Sequence, residues 1–117
     1  MAAEVFVGVL RVTIMVPHSR SLKDRRQAVR SLRDRLRSRF SVSVHELPGE
    51  HPGRQDLVCT TGGSDGALVR RTLDEIRRFV DADVRTYSAG VDLDVFPWHP
   101  EALWIDDPDE SEEPWDG

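Results

Sequence analysis

The residues of this chain with the clearest potential to bind a ligand are five cations between residues 23 and 37, spaced three or four positions apart. They are Lys23, Arg26, Arg30, Arg33 and Arg37, here termed the cation ladder. Because residues three and four apart are neighbours on a helix, all five side chains would extend from one helical face. A ridge of this kind suits the phosphates of a nucleic acid backbone. The alternative is an ordinary solvated helix face, whose cations serve only solubility.

The helix that the cation ladder requires is itself predicted by apolar residues between 19 and 40. Their spacing of three, four and seven positions forms one stripe, made of Leu22, Val29, Leu32, Leu36 and Phe40. Like charges at neighbouring helical positions oppose helix formation by about 0.2–0.5 kcal/mol per pair. Burial of the apolar stripe must therefore supply most of the stability, and we expect this helix to be docked on a core.

Residues suited to catalysis or metal binding are few. His45, Glu46 and His51 superficially resemble a zinc-protease cluster, but that chemistry needs two histidines four positions apart on a helix. A proline and a glycine at 48–49 interrupt this segment. Cys59 lies among apolar residues of a predicted strand, which is typical of an inert buried thiol. We therefore expect no metal site, no cofactor and no enzymatic activity.

A glycine-rich loop precedes the second predicted helix, and helix N-termini offer free backbone N–H groups to phosphates. Its glycines are Gly62, Gly63 and Gly66, but no lysine follows in the position that a Walker loop requires. We expect Ser64 or Asp65 to cap this helix, with no anion bound.

Hydrophobic periodicity predicts six elements in the order β-α-β-β-α-β. Strands are predicted at 4–16, 41–47, 55–61 and 85–96, and helices at 19–40 and 64–81. In a single domain this order is typical of the ferredoxin-like α+β fold, a four-stranded antiparallel sheet with two helices on one face. A chain of 117 residues has room for one such domain, which we place at 1–97.

The first predicted strand is apolar on both faces over its first half, which is typical of a central strand. Val5, Val7 and Val9 lie on the face away from the helices. An apolar patch of that kind usually marks an interface. We expect a homodimer through the sheet face or an edge strand, or coverage of the face by the C-terminal segment.

The C-terminal segment, residues 98–117, is acidic and contains all three tryptophans. Residues 101–117 hold eight carboxylates and no cation, so the rest of the chain has sixteen basic and thirteen acidic groups. Prolines and carboxylates predict a disordered, solubilising tail. The alternative is that Trp98 and Trp104 anchor the tail while residues 106–113 compete with phosphate for the cation ladder.

The single cysteine excludes an intramolecular disulfide, and the sequence shows neither a signal peptide nor a membrane-spanning segment. These features predict a cytoplasmic protein without membrane partners.

The N-terminal half also carries a resemblance to a known family. Residues 7–11 read VGVLR, residues 19–26 read SRSLKDRR and residues 40–46 read FSVSVHE. This pattern resembles the YlxP-like family of bacterial proteins, a domain of unknown function. The resemblance implies a ferredoxin-like fold and a cytoplasmic bacterial protein. In some bacteria the family's gene lies among genes for transcription elongation, translation initiation and ribosome maturation, which implies work on RNA.

Two features depart from the family pattern. Leucine and valine occupy 57–58, where the family usually has a tryptophan, and the chain continues past the family's usual end after Phe96.

Two function classes follow. The first is a non-enzymatic RNA- or ribosome-associated module that binds the phosphate backbone through the cation ladder. It would not stack bases as an RRM does, because the two predicted central strands hold only Phe6 as an aromatic. The second is a homo-oligomeric protein-interaction module with no nucleic-acid role.

Overall fold

A computed structural model of the chain describes residues 4–17, 21–47 and 54–99. Six elements follow one another in the predicted order. They are β1 (Val5–Met15), α1 (Leu22–Arg39), β2 (Ser43–Leu47), β3 (Arg54–Gly63), α2 (Gly66–Asp81) and β4 (Tyr87–Trp98). The strands form one antiparallel sheet in the order β2-β3-β1-β4, with both helices packed on one face. This confirms the ferredoxin-like α+β fold.

β1 is a central strand, as its pattern predicted. It pairs with β3 on one side and β4 on the other, so that Leu10 lies between Cys59 and Leu93. β2 forms the predicted hairpin with β3 and is one edge of the sheet, while β4 is the other. Since successive residues of a strand point to opposite faces, Leu10, Val12 and Ile14 all meet the helices.

The hydrophobic core lies between the sheet and the two helices. Each fully buried aliphatic side chain contributes about 1.5–3 kcal/mol relative to an exposed one, so these contacts hold the helices in place. The buried helical residues are Ala28, Val29, Leu32 and Leu36 from α1, and Val69, Leu73, Ile76 and Val80 from α2. Leu22, predicted for this stripe, is 52% exposed, because the first residues of α1 project beyond the core.

Both helices begin at capping residues. The side chain of Ser21 accepts a hydrogen bond of 3.1 Å from the backbone N–H of Asp24. Asp65, one of the two predicted caps of α2, accepts from the backbone N–H groups of Ala67 at 2.9 Å and Leu68 at 3.4 Å. Two of the N–H groups that a phosphate would need at this terminus are therefore already used.

β4 extends two residues past its predicted end at Phe96. Pro97 and Trp98 pair with Phe6 and Val5 at the start of β1. Proline is accommodated there because β4 is an edge strand. Trp98, predicted as part of the tail, therefore belongs to the sheet, and residues 100–117 lie outside the described residues. Neither α1 nor α2 is long and apolar enough to cross a membrane.

Candidate nucleic-acid interface

The cation ladder lies on the outer side of α1, turned away from the buried stripe. Of its five members, only Arg33 is half-buried, and the other four are exposed. None of residues 22–27 of α1 is buried, so the N-terminal part of this helix projects from the core. The contacts of the five cations divide the ladder into two halves with different surroundings.

The C-terminal half of the ladder, Arg33 and Arg37, is engaged in contacts within the domain. Arg33 lies 2.9 Å from the carboxylate of Asp34 and 3.3 Å from that of Glu46 in β2. Arg37 donates a hydrogen bond of 2.6 Å to the backbone carbonyl of Val44, also in β2. Both side chains thus fasten α1 to the edge of the sheet, and Arg33 uses several of its donors in these contacts whereas Arg37 uses one.

The N-terminal half of the ladder, Lys23, Arg26 and Arg30, is differently placed. None of the three forms an ion pair or a side-chain hydrogen bond with another residue that the structure describes. Together with Leu22 and Gln27 they line an open depression on the surface of α1. Three cations without a carboxylate partner along one helical face can donate hydrogen bonds to the phosphate oxygens of an extended nucleic-acid backbone.

Arg35 projects from the other flank of α1, toward the segment that follows α2. Its guanidinium lies 2.7 Å from the carboxylate of Asp83, whose side chain is only 3% exposed. Thr86 donates a second hydrogen bond of 2.8 Å to Asp83. Burial by itself would raise the pKa of Asp83, but the hydrogen bonds from Arg35 and Thr86 and the charge of Arg35 hold its pKa below the usual value.

A cluster of two aromatic rings and two guanidinium groups joins the C-terminal ends of the helices. The rings of Phe40 and Phe79 meet edge to face, with centroids 5.8 Å apart. The guanidinium carbon of Arg39 lies 5.4 Å from the Phe79 centroid, and that of Arg35 lies 5.9 Å from it. These two arginines of α1 therefore serve packing, whereas the N-terminal half of the ladder, like Arg25, has no such contact among the described residues.

The face of the sheet opposite the helices, here termed the open face, carries an apolar and aromatic patch. Val5, Val7 and Val9 of β1 lie on it, as predicted. The register places Trp98 directly opposite Val5 and Phe96 opposite Val7. Val5, Phe96 and Trp98 are 40%, 38% and 46% exposed, respectively. Sequence spacing did not indicate this aromatic pair as part of the patch, because it depends on the pairing of β1 with β4.

Among the described residues, the side chain of His45 lies on the other face of the sheet from those of Glu46 and Cys59. His45 and Glu46 are successive residues of β2, so Glu46 contacts Arg33 of α1 while His45 points to the open face. His51 lies outside the described residues. Cys59 is buried in the core as predicted, and burial raises the pKa of its thiol to about 11. No group of three or more potential metal ligands occurs among residues 4–17, 21–47 and 54–99.

These features define a small ferredoxin-like α+β domain with a basic helix on one side and an apolar sheet face on the other. Residues 7–91 match the family described as "Protein of unknown function (DUF503)", and the chain belongs to that family. No curated protein matches the chain. Among solved structures, the chain is similar to the "De novo designed protein Foldit4", with 16% sequence identity and a TM-score of 0.48, over 82% of this chain and 100% of that one.

Proposed function

We propose that this protein is a non-enzymatic, RNA- or ribosome-associated module that binds the phosphate backbone through α1. The observation that supports this proposal is the N-terminal half of the cation ladder. Lys23, Arg26 and Arg30 project from the core side by side, and none of them forms an ion pair with a carboxylate of the described residues. Unpaired cations in such a row bind phosphates by releasing the counterions that surround a nucleic acid.

The contacts of the ladder also indicate how strongly binding should depend on salt. Because Arg33 and Arg37 are held by β2 and Asp34, we assign the main phosphate contacts to the other three cations. Three contacts to single-stranded RNA correspond to a slope of about −2 for log affinity against log salt. Affinity should then fall about twentyfold between about 50 and 200 mM salt. Five contacts would give a slope of about −3.5.

The resemblance to the YlxP-like family supports the choice of RNA as the partner. The residues that carry it include 19–26, which enclose the first two cations of the ladder. In some bacteria the gene of that family lies among genes for transcription elongation, translation initiation and ribosome maturation. This neighbourhood is consistent with a small cytoplasmic protein that acts on RNA or the ribosome.

The test compares two variants that remove the same charge from different helices. Lys23→Gln, Arg26→Gln and Arg30→Gln are combined in one variant. The matched control combines Arg70→Gln, Arg71→Gln and Arg77→Gln, three exposed positions of α2. Fluorescence anisotropy with a labelled single-stranded RNA measures the affinity of each at low salt.

We expect the α1 variant to lose most of its RNA affinity and most of its salt dependence while its melting temperature stays unchanged. The α2 variant should retain affinity close to that of the parent protein. Equal losses in both variants would mean that binding follows net charge alone, and the ladder would then not be the site. A parent protein with no affinity for RNA at low salt would refute the proposal itself.

A second candidate function, self-association as a protein-interaction module, is favoured by the apolar open face. Val5, Phe96 and Trp98 are each more than a third exposed. A patch of this kind on a sheet face is typical of an interface. A dimer in light scattering that is unchanged by RNA, together with no RNA affinity, would favour this function over the first.

A further inference from the structure

We propose that the open face is the docking site of the chain's own residues 102–105, whose sequence is ALWI, with Trp104 seated on the valines of β1. This inference concerns the side of the sheet opposite α1 and does not rest on RNA binding. It gives the open face an occupant within the same chain.

The shape of the open face suits a bulky side chain. In the sheet, Val7 lies between Gly62 of β3 and Phe96 of β4, and the neighbouring Val9 lies beside Thr60 of β3. Small residues therefore lie on one side of the valines and large rings on the other. On the open face, the small residues of β3 leave room for a bulky side chain over β1 and β3, beside the aromatic rings of Phe96 and Trp98.

The position where β4 ends places the proposed occupant beside this space. Trp98, the last residue of β4, lies opposite Val5 at the same end of the sheet as the apolar patch. Only residues 99–101 separate it from the apolar run, and three residues span at most about 10 Å. A connection this short gives residues 102–105 a high effective concentration over the patch.

Charge on the open face favours a path over β1 and β3. Asp92 and Asp94 of β4 lie on this face, opposite Arg11 and Val9. The guanidinium of Arg11 lies 2.5 Å from the carboxylate of Asp56, yet its side chain is still 54% exposed. Arg54 is exposed at the start of β3, at the end of the sheet away from Val5. The carboxylates that follow Ile105 are repelled by Asp92 and Asp94 of β4 and attracted mainly by Arg54, since Arg11 is already paired with Asp56. A second copy of the chain would instead bring another acidic β4 strand to the same surface.

The test uses Trp104 as the only tryptophan in the full-length chain. Trp98→Phe and Trp115→Phe provide this background, and Phe at 98 keeps an aromatic ring in the patch. The emission maximum of Trp104 and its quenching by acrylamide measure its exposure. We expect emission at shorter wavelength, and several-fold weaker quenching, than for free tryptophan in the same buffer. Light scattering should show a monomer at all concentrations.

Two variants then test the docking, one by changing the open face and the other by changing the docked segment. Val7→Asp should shift the emission of Trp104 to longer wavelength and raise its quenching several-fold. Val84→Asp is the matched control, because Val84 is 96% exposed and lies outside the sheet. Leu103→Asp with Ile105→Asp should have the same effect as Val7→Asp. This tail variant leaves the folded domain untouched, so it decides the question if Val7→Asp does not fold.

Two results would overturn the proposal. The first is quenching of Trp104 in the background protein equal to that of free tryptophan, which would show an undocked segment. The second is protection of Trp104 from acrylamide that increases with protein concentration, together with a doubled molecular mass in light scattering. That result would show that a second copy of the chain occupies the open face.

Discussion

At the scale of single residues, the cations of α1 differ mainly in which partner lies within reach. Arg33, Arg35 and Arg37 each reach a carboxylate or a backbone carbonyl outside α1. Arg26 and Arg30 reach none among the described residues. Guanidinium groups with a fixed partner position the helix, whereas those without one remain available to a ligand. The same residue type therefore has two kinds of surroundings within one helix.

Asp83 provides a prediction at this scale, because its pKa is lower in the folded chain than in the unfolded one. An unfolded aspartate has a pKa of about 3.9. Asp83 therefore contributes stability above about pH 4, and this contribution is lost as pH falls through the folded pKa. We expect Asp83→Asn to lower the free energy of unfolding at neutral pH by about 1–3 kcal/mol. Urea denaturation at neutral and acidic pH measures the change.

The difference between Asp83→Asn and the parent protein should shrink below about pH 4, where the parent carboxylate also becomes protonated. Asp94→Asn is the matched control, since Asp94 is exposed on the open face and should change stability by less than about 0.5 kcal/mol. A stability difference that stays constant from neutral to acidic pH would contradict the assigned role of the ion pair.

At the scale of elements, the packing of α2 on β1 depends on Gly8. A Cβ atom at this position would lie 2.6 Å from Cγ1 of Val69 and 2.7 Å from Cδ1 of Leu73. Both distances are far below van der Waals contact, so a larger residue must displace these two side chains or the helix that carries them. A glycine within a strand commonly marks such a close approach.

We therefore expect Gly8→Ala to lower the free energy of unfolding by about 1–3 kcal/mol through overpacking. Gly90→Ala in β4 is the matched control, because its Cβ would meet only Oγ1 of Thr13, at 3.9 Å. That substitution should change stability by less than about 1 kcal/mol. Thermal or urea denaturation of the two variants measures the difference. If Gly8→Ala lowered the free energy of unfolding no more than Gly90→Ala, the packing of α2 would not depend on the glycine at position 8.

At the scale of the whole molecule, charge is divided between two sides of the sheet. The unengaged cations of the ladder lie on α1, and α2 carries four further arginines without an ion pair to another described residue, at 70, 71, 77 and 78. On the other side of the sheet, β4 presents Asp92 and Asp94 to the open face. Residues 101–117 add eight of the twenty-one carboxylates of the chain. In the proposed function, the position of this segment therefore decides whether the cation ladder would bind phosphate with or without an internal competitor.

The proposed docking of residues 102–105 leads to a prediction about RNA binding. The carboxylates at 106, 107, 109 and 110 would lie on the side of the sheet away from α1, beyond about one Debye length at 0.1 M salt. Replacing all four by their amides should change RNA affinity by less than about twofold at that salt. Fluorescence anisotropy measures it. A large gain in affinity would show that the tail competes for the ladder instead.

The order of elements, the central position of β1 and most of the core follow from the sequence alone. Period-two and period-3.6 patterns directly report which side of each element is apolar, so residues such as Leu10, Leu32 and Leu73 were identifiable without coordinates. The cations of the ladder were identifiable for the same reason, since helical spacing alone places them on one face.

Tertiary structure alone decided which of these cations are unengaged and what lies on the open face. Arg33 and Arg37 are held by β2, and Arg35 by Asp83, across separations of up to 48 positions in the chain. Trp98 and Phe96 join the valines of β1 only through the register of β1 with β4. Contacts of this range depend on how whole elements pack and pair. Periodicity within one element carries no information about them.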